Sequence, residues 1–318
     1  MQLRKKRRWI PITLVVVLAI SGILYSLADR YLIRHVQVVV ADESLAIDTT
    51  DSSATSSAAS EDAQATFDDW SYTSDRLQIQ IQKVQTGSGP DQITYYVADV
   101  QTKDASSLRS ALADNSFGTN IKEDTSEIAE ANQAIFAVNG DYYGFRQDGV
   151  IIRNGVLYRD EPTRDALALF DDGTMKTYNE NEISSSELLA QGATNTLSFG
   201  PILIQNGEIT SDFSSVKIDT NFGNRSIQNA NPRTAIGMIA PHHYVFVVVD
   251  GRQDDSRGMT LAELAQTMKD LGATEAYNLD GGGSSTMYFM GRVVNNPLGR
   301  NRERGVSDIV YVTEGQGS

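Results

Sequence analysis

The chain has 318 residues, a formal net charge of −14 at pH 7 and no cysteine. The length allows one large domain or two small ones with appendages. The missing cysteines exclude a disulfide framework, a zinc knuckle and a thiol nucleophile, and the acidic balance argues against a nucleic-acid partner.

The charge is unevenly placed. Residues 1–40 carry a net six positive charges, and residues 41–75 carry nine acids and no base. Arg4-Lys5-Lys6-Arg7-Arg8 precedes an uncharged run from Trp9 to Ala28. As a helix that run is long enough to cross a bilayer of ~30 Å. A retained single-pass anchor over 9–28 is therefore expected, with the basic segment 1–8 in the cytoplasm and the rest of the chain at the cell membrane's outer side. A cleaved signal peptide is the rival reading. Ser26-Leu27-Ala28 supplies the small residues of a cleavage site, but the apolar run exceeds the usual length. Tyr31 to Val40 either extends the helix or lies at the interface. Asp42 to Ala65 is rich in Ser, Thr, Ala and Asp. It cannot bury enough surface to offset its ordering entropy, which predicts a flexible stalk. The juxtamembrane segment and stalk are placed at 29–66, and the folded domain at 67–318.

From there the pattern is strand-rich. Leu77 to Val84 alternates apolar and polar, as a half-buried strand does. Ile93 to Val100 is another strand. Ser106 to Ala113 and Thr125 to Gln133 are short helix candidates. Ala134 to Val138 is wholly apolar and predicts a central strand. Hairpins are expected at 151–158 around Asn154-Gly155, at 167–178, at 202–209 and at 234–249. One helix is clear: Thr260 caps it, Glu263 completes a capping box, and Gly272 ends it. Many hairpins with few helices predict an α+β domain on largely antiparallel sheets.

Asn278-Leu279-Asp280-Gly281-Gly282-Gly283-Ser284-Ser285-Thr286 stands out next, before the strand-like Met287-Tyr288-Phe289. An ordinary turn needs one or two glycines. Three in a row let the backbone pass close to a ligand, with N–H groups free to point at an anion. A tight polar connection between strands is the bland alternative. Polar clusters also close four other apolar strands: Asn139-Gly140-Asp141-Tyr142-Tyr143, Asn231-Pro232-Arg233-Thr234, Asp250-Gly251-Arg252 and Arg302-Glu303-Arg304. Rigid strand ends are where sites get built. Asp141 and Asp250 are equally plain as turn acids, and Arg233 as half of an ion pair. His35, His242 and His243 form no triad or metal pattern, and no Gly-x-Ser-x-Gly activates Ser284 or Ser285.

These blocks, with Arg257-Gly258 and Leu261 to Ala265, resemble in this order the phosphodiester glycosidase family. The resemblance covers about residues 70–315. It implies hydrolysis of a sugar–phosphate diester, with an N-acetylhexosaminyl sugar, at the anomeric carbon. It also implies a bacterial membrane-anchored layout and a role in exopolysaccharide or cell-wall metabolism. The family's first block often carries Gly where this chain has Asp141, which shifts the essential acid toward Asp280 and Asp250.

The residues suit such chemistry. Asp280, Asp250 and Asp141 are the candidate catalytic carboxylates, to stabilise an oxocarbenium-like sugar and direct water. Arg233, Arg252 and Arg304 are candidates for holding the phosphate bidentately, helped by the N–H groups of Gly281, Gly282 and Gly283. Asn139, Asn278, Ser284 and Ser285 complete the candidate substrate-binding set. No cofactor is required; carboxylates and hydroxyls here would suit a hard cation such as Ca²⁺. The expected partners are a sugar-phosphate diester or anionic surface glycan, and the membrane. The alternatives are a non-catalytic module that binds anionic glycan and a structural cell-wall assembly factor.

Overall fold

The computed structural model describes residues 3–40, 65–210, 213–216, 218 and 226–314, with the side chains of 3–12, 30 and 31 left aside. Two antiparallel sheets form the body. The larger runs, edge to edge, through Glu208–Ile209, Ile202–Gln205, Glu275–Asn278, Arg233–Ala240, His243–Val249, Ile93–Thr102, Leu77–Thr86, Ser71–Thr73 and Thr66–Phe67. The smaller runs through Arg292–Val293, Met287–Phe289, Phe136–Asn139, Asp308–Val312 and Leu108–Leu112. The alternation at 77–81 is realised: Leu77, Ile79 and Ile81 are buried and Gln78 and Gln80 exposed.

The sheets pack face to face. Ile79, Ile236, Phe246 and Val248 of the larger meet Phe136, Val138, Phe289 and Val310 of the smaller. Each such side chain contributes about 1.5–3 kcal/mol when fully buried. The larger sheet's other face is covered by helix Leu261–Asp270 through Leu261, Leu264, Ala265 and Met268. Helix Thr125–Ala131 covers the smaller sheet through Ile128 and Ala129. The result is an α+β domain of four layers, helix, sheet, sheet, helix.

The expected hairpin turns form as their chemistry requires. Asn154 and Asn206 adopt φ of 49° and 52°, each followed by a left-handed glycine. Phe136–Asn139 is the middle strand of its sheet. Ser106 to Ala113 is corrected: residues 108–112 form a strand along Asp308–Val312, not a helix. Local apolar spacing was compatible with either, and the ladder offered by a sheet edge outweighs weak intrinsic propensity.

The N-terminal segment departs from expectation too. A helix runs Leu3–Tyr31, and among the described residues no helix is long and apolar enough to cross a membrane. After it, His35–Val39 does not extend the helix. It is a strand paired antiparallel with Ser116–Thr119 of the domain. The expected stalk falls mostly on residues 41–64, outside the described residues.

Candidate active site

Antiparallel order sets the site. It places the C-terminal ends of 243–249 and 275–278 beside the N-terminal end of 233–240. The smaller sheet likewise places the end of 136–139 beside the starts of 287–289 and 308–312. The glycine-rich loop leaves the larger sheet after Asn278 and enters the smaller at Met287, so it crosses between the sheets at their shared end. Asn139, wholly buried, ties the crossing. Its Nδ2 donates to the carbonyl of Asp280 at 2.7 Å, and its Oδ1 accepts from Thr234 Oγ1 at 2.6 Å.

Asp280 is fixed at the mouth of this loop. Its Oδ1 accepts from the Gly281 amide at 2.9 Å. Its Oδ2 accepts from Ser284 Oγ at 2.7 Å and from Arg304 Nη2 at 3.2 Å. Arg304 Nη2 also donates to Ser284 Oγ at 2.6 Å. Burial raises the carboxyl's pKa, opposed by the charges of Arg304 and Arg146. The Asp280 side chain keeps 12% of its surface exposed and that of Arg304 48%, so the pair is reachable from solvent.

The glycines make room for cations. A Cβ on Gly283 would lie 3.1 Å from Arg304 Cδ, and one on Gly282 would lie 3.4 Å from the guanidinium nitrogens of Arg252. Gly282 also sits at φ 65°, where a side chain is strained. Two guanidinium groups therefore flank the loop. For two of its three glycine N–H groups, those of Gly281 and Gly282, the expectation is corrected. Gly281 N binds the Asp280 carboxylate, Gly282 N the Pro232 carbonyl, Ser284 N the Gly281 carbonyl and Ser285 N the Gly282 carbonyl. These amides hold the loop's shape, and the cationic character of the site comes from side chains.

Other expected site residues are placed behind this surface. Asp141 is 2% exposed; its carboxylate accepts from the Tyr142 and Ser198 amides and lies 3.7 Å from Arg153. Arg153 in turn pairs with Asp308 at 2.6 Å. Asp141 is thus a structural acid, because its lone pairs and nearest cation are internal. Asp250 is also buried. It accepts from Asn295 Nδ2 at 2.9 Å and the Asn296 amide at 3.1 Å, and burial raises its pKa. It braces the turn that carries Arg252. That arginine is exposed, with φ 60°, and donates to Asn231 Oδ1 at 2.7 Å.

Arg233 is corrected as a phosphate ligand. It is 2% exposed, and its guanidinium donates to the carbonyls of Met259, Ile227 and Asn229. Burial pushes its pKa down to about 10, with Arg252 adding repulsion. Asn278 is wholly buried and donates to the Gly200 carbonyl at 2.8 Å, while Ser285 Oγ is buried without a partner. Neither faces the solvent side of the loop. Among the described residues no three carboxylate or histidine groups gather as a metal cluster. A cleft of about 590 Å³ lies elsewhere, lined by Asp165, Lys176, Tyr178 and Phe213 among others.

Arg146 was not singled out in the sequence. Its guanidinium lies 5.1 Å from the ring centroids of both Tyr142 and Phe199, and its charge is felt at Asp280. The available signal was the arginine ending the aromatic run Tyr142-Tyr143-Gly144-Phe145.

An antiparallel two-sheet domain with a carboxylate held among arginines at the sheet ends defines a class, and the comparisons give it a family. A model describing phosphodiester glycosidases matches residues 132–313, more than half of the chain, and the chain belongs to that family. The SPbeta prophage protein YomE of Bacillus subtilis is 31% identical over 206 residues, covering 62% of this chain and 30% of that protein. N-acetylglucosamine-1-phosphodiester alpha-N-acetylglucosaminidase of Bos taurus is 31% identical over 156 residues, 45% of this chain and 29% of that protein. The chain thus spans under a third of these curated relatives. In fold it is similar to the catalytic domain of the zebrafish protein of the same name, auto-inhibited by its pro-peptide. The TM-score is 0.57 at 22% identity, over 75% of this chain and 84% of that one. A protein from Synechocystis gives 0.55 at 18% identity, over 75% of this chain and 62% of that one.

Proposed function

We propose that this chain hydrolyses a glycosyl phosphodiester, with an N-acetylhexosaminyl sugar, at the anomeric carbon. The observation that carries the reading is the Asp280–Ser284–Arg304 cluster at the mouth of the glycine loop. Relatives named for that bond support the sugar. In the reaction, water oxygen bonds to the anomeric carbon, the bond from that carbon to the bridging oxygen breaks, and the phosphate monoester leaves with the bridging oxygen. Asp280 takes the water's proton and faces the developing sugar cation. Arg304 and Arg252 hold the phosphate, whose charge makes it a good leaving group. These groups all belong to the chain, and the reaction as written draws on no cofactor.

The place of action is proposed as the outer face of a cell membrane, in surface polysaccharide or cell-wall glycan metabolism. The supports are the uncharged run from Trp9 to Ala28 behind five basic residues and the exposure of apolar side chains from Leu14 onward, with Leu14, Leu18 and Ile23 at 58–63%. A contiguous apolar surface of that size calls for a cover, and the proposed cover is the membrane surface.

Hydrolysis in ¹⁸O-labelled water tests the reaction. Label in the released sugar supports it; label in the phosphate sinks it. Binding of anionic glycan without any turnover would favour the non-catalytic module.

A further inference from the structure

We propose that the substrate of this site is lipid-linked: a glycosyl phosphodiester whose aglycone sits in the bilayer, so that cleavage frees the sugar and leaves a lipid phosphate in the membrane. This rests on the glycosidase reading and the membrane placement given above, but a separate observation carries it. The end of the N-terminal helix and both walls of the site share one short piece of chain, residues 120–123.

Asn120 makes the first link. Its Nδ2 donates to the carbonyl of Asp29 in the last turn of the helix at 3.1 Å, a group that a helix end leaves open, and to that of Ile33 just beyond it at 2.8 Å. Its own amide donates to the carbonyl of Gly144 at 2.9 Å. Gly144 lies between Tyr142 and Arg146, the aromatic–cationic wall beside Asp280. The second link is three residues on. Glu123 N and O exchange bonds with Val306 O and N, at 3.1 and 2.8 Å, two residues from Arg304. The strand His35–Val39 reinforces both by pairing with Ser116–Thr119, and Arg34 pairs with Asp114.

One residue thus separates the helix end from the site wall. The apolar surface continues past the helix, with Leu32, Val36 and Val39 exposed at 78%, 55% and 70%. With the helix against the membrane surface, these side chains settle into its interface and the mouth of the site opens at headgroup level. A phosphate presented there meets Arg252 and Arg304, while Arg146, whose guanidinium donates to the carbonyls of Ser198 and Ile218, adds positive charge beside them. A freely diffusing diester gains nothing from a site held so low, whereas a membrane-bound one is delivered to it by diffusion in the plane.

The test uses the full chain in phosphatidylcholine vesicles and two probes, the hexadecyl and the methyl ester of N-acetylglucosamine 1-phosphate. A flexible Gly/Ser insertion of about twenty residues between Tyr31 and Leu32 adds ~25 Å of reach and leaves the site intact. The expected result is an unchanged rate on the methyl ester and a roughly tenfold fall on the hexadecyl ester. Equal rates before and after insertion on both esters overturn the lipid-linked substrate alone. No hydrolysis of either ester sinks the glycosidase reading and this assignment with it. Height is read separately, because the chain has no native cysteine. A fluorophore at Gln147→Cys, beside Arg146, is expected to be quenched by a headgroup quencher more strongly than one at Asp75→Cys, at the opposite end of the larger sheet. Equal quenching overturns the proposal.

Discussion

Arg304 reaches Asp280 by two routes, directly at 3.2 Å and through Ser284 Oγ at 2.6 Å. The carboxylate is therefore held in one orientation by three donors, while its cation partner stays half-exposed. Such a group has geometry fixed by the fold and charge open to a ligand, the pre-organisation that transition-state electrostatics requires. The buried acids Asp141 and Asp250 have the first property without the second.

Replacing that charge is the direct test of the assignment. Asp280→Asn keeps the shape and can still accept from Ser284. The expected fall in kcat is roughly 10²–10⁴-fold, the span of one acid–base group, with the thermal midpoint little changed. A fully active Asp280→Asn would remove Asp280 from the chemistry even if the reaction stands.

The loop's glycines give a second test that touches no charged atom. At Gly283 the backbone φ is ordinary, so alanine meets only side chains: Arg304 Cδ and Nε at 3.1 and 3.2 Å and Leu298 Cδ2 at 3.4 Å. Gly283→Ala is expected to fold normally and displace that arginine by a fraction of an ångström. A misplacement of about 1 Å costs on the order of 10²-fold, so kcat/KM for the diester should drop by roughly tenfold or more. Unchanged kcat/KM would show that Arg304 does not contact the reacting phosphate.

The sheets were legible because period two and Asn-Gly turns are local signals. The strand at 77–86 and the turn at Asn154-Gly155 needed no distant partner to be read. The Asp280 loop was legible because three successive glycines exceed what a turn requires. Partners far along the chain were not. Asp141 owes its role to Arg153 and Asp308, the latter 167 residues away. Arg233 is spent on carbonyls of a loop whose path no spacing encodes. The strand at 108–112 and the docking of 35–39 depend on edges that exist only once the domain has folded.

Titration of the buried acids predicts how stability depends on pH. Burial pushes Asp308 from its ordinary 3.8 up to about 6, against the pull of Arg153, and raises Asp250 and Asp280 as well. An acid raised in the folded state contributes stability that is complete below its unfolded pKa and lost as pH rises through the folded one. These groups therefore make the fold more stable near pH 5 than near pH 7. Glu263 acts oppositely: Arg257 holds it down to about 2, so its contribution is present above its ordinary 4.5 and declines below it. Chemical-denaturation midpoints should rise from about pH 7 to about pH 5 and turn down below about pH 4. A midpoint that falls from the start would contradict the buried-acid account.

Arg233→Lys separates a structural arginine from a phosphate ligand. Three carbonyls receive its guanidinium, from Met259 at 3.0 Å, Ile227 at 2.6 Å and Asn229 at 2.9 Å. Lysine is shorter in reach and a point charge, so it cannot span the same fork. At least one carbonyl and one cation are then left short of partners in a buried place. A lost hydrogen bond to a charged group is worth about 1.5–3 kcal/mol, and the variant should lose roughly that much stability. The site loop suffers only indirectly, through residues 226–231 and the Asn231–Arg252 contact. KM for the diester should thus stay within about twofold below the unfolding temperature, less than the cost of one lost bond to the phosphate. A large rise in KM with an unchanged denaturation midpoint would return Arg233 to the substrate.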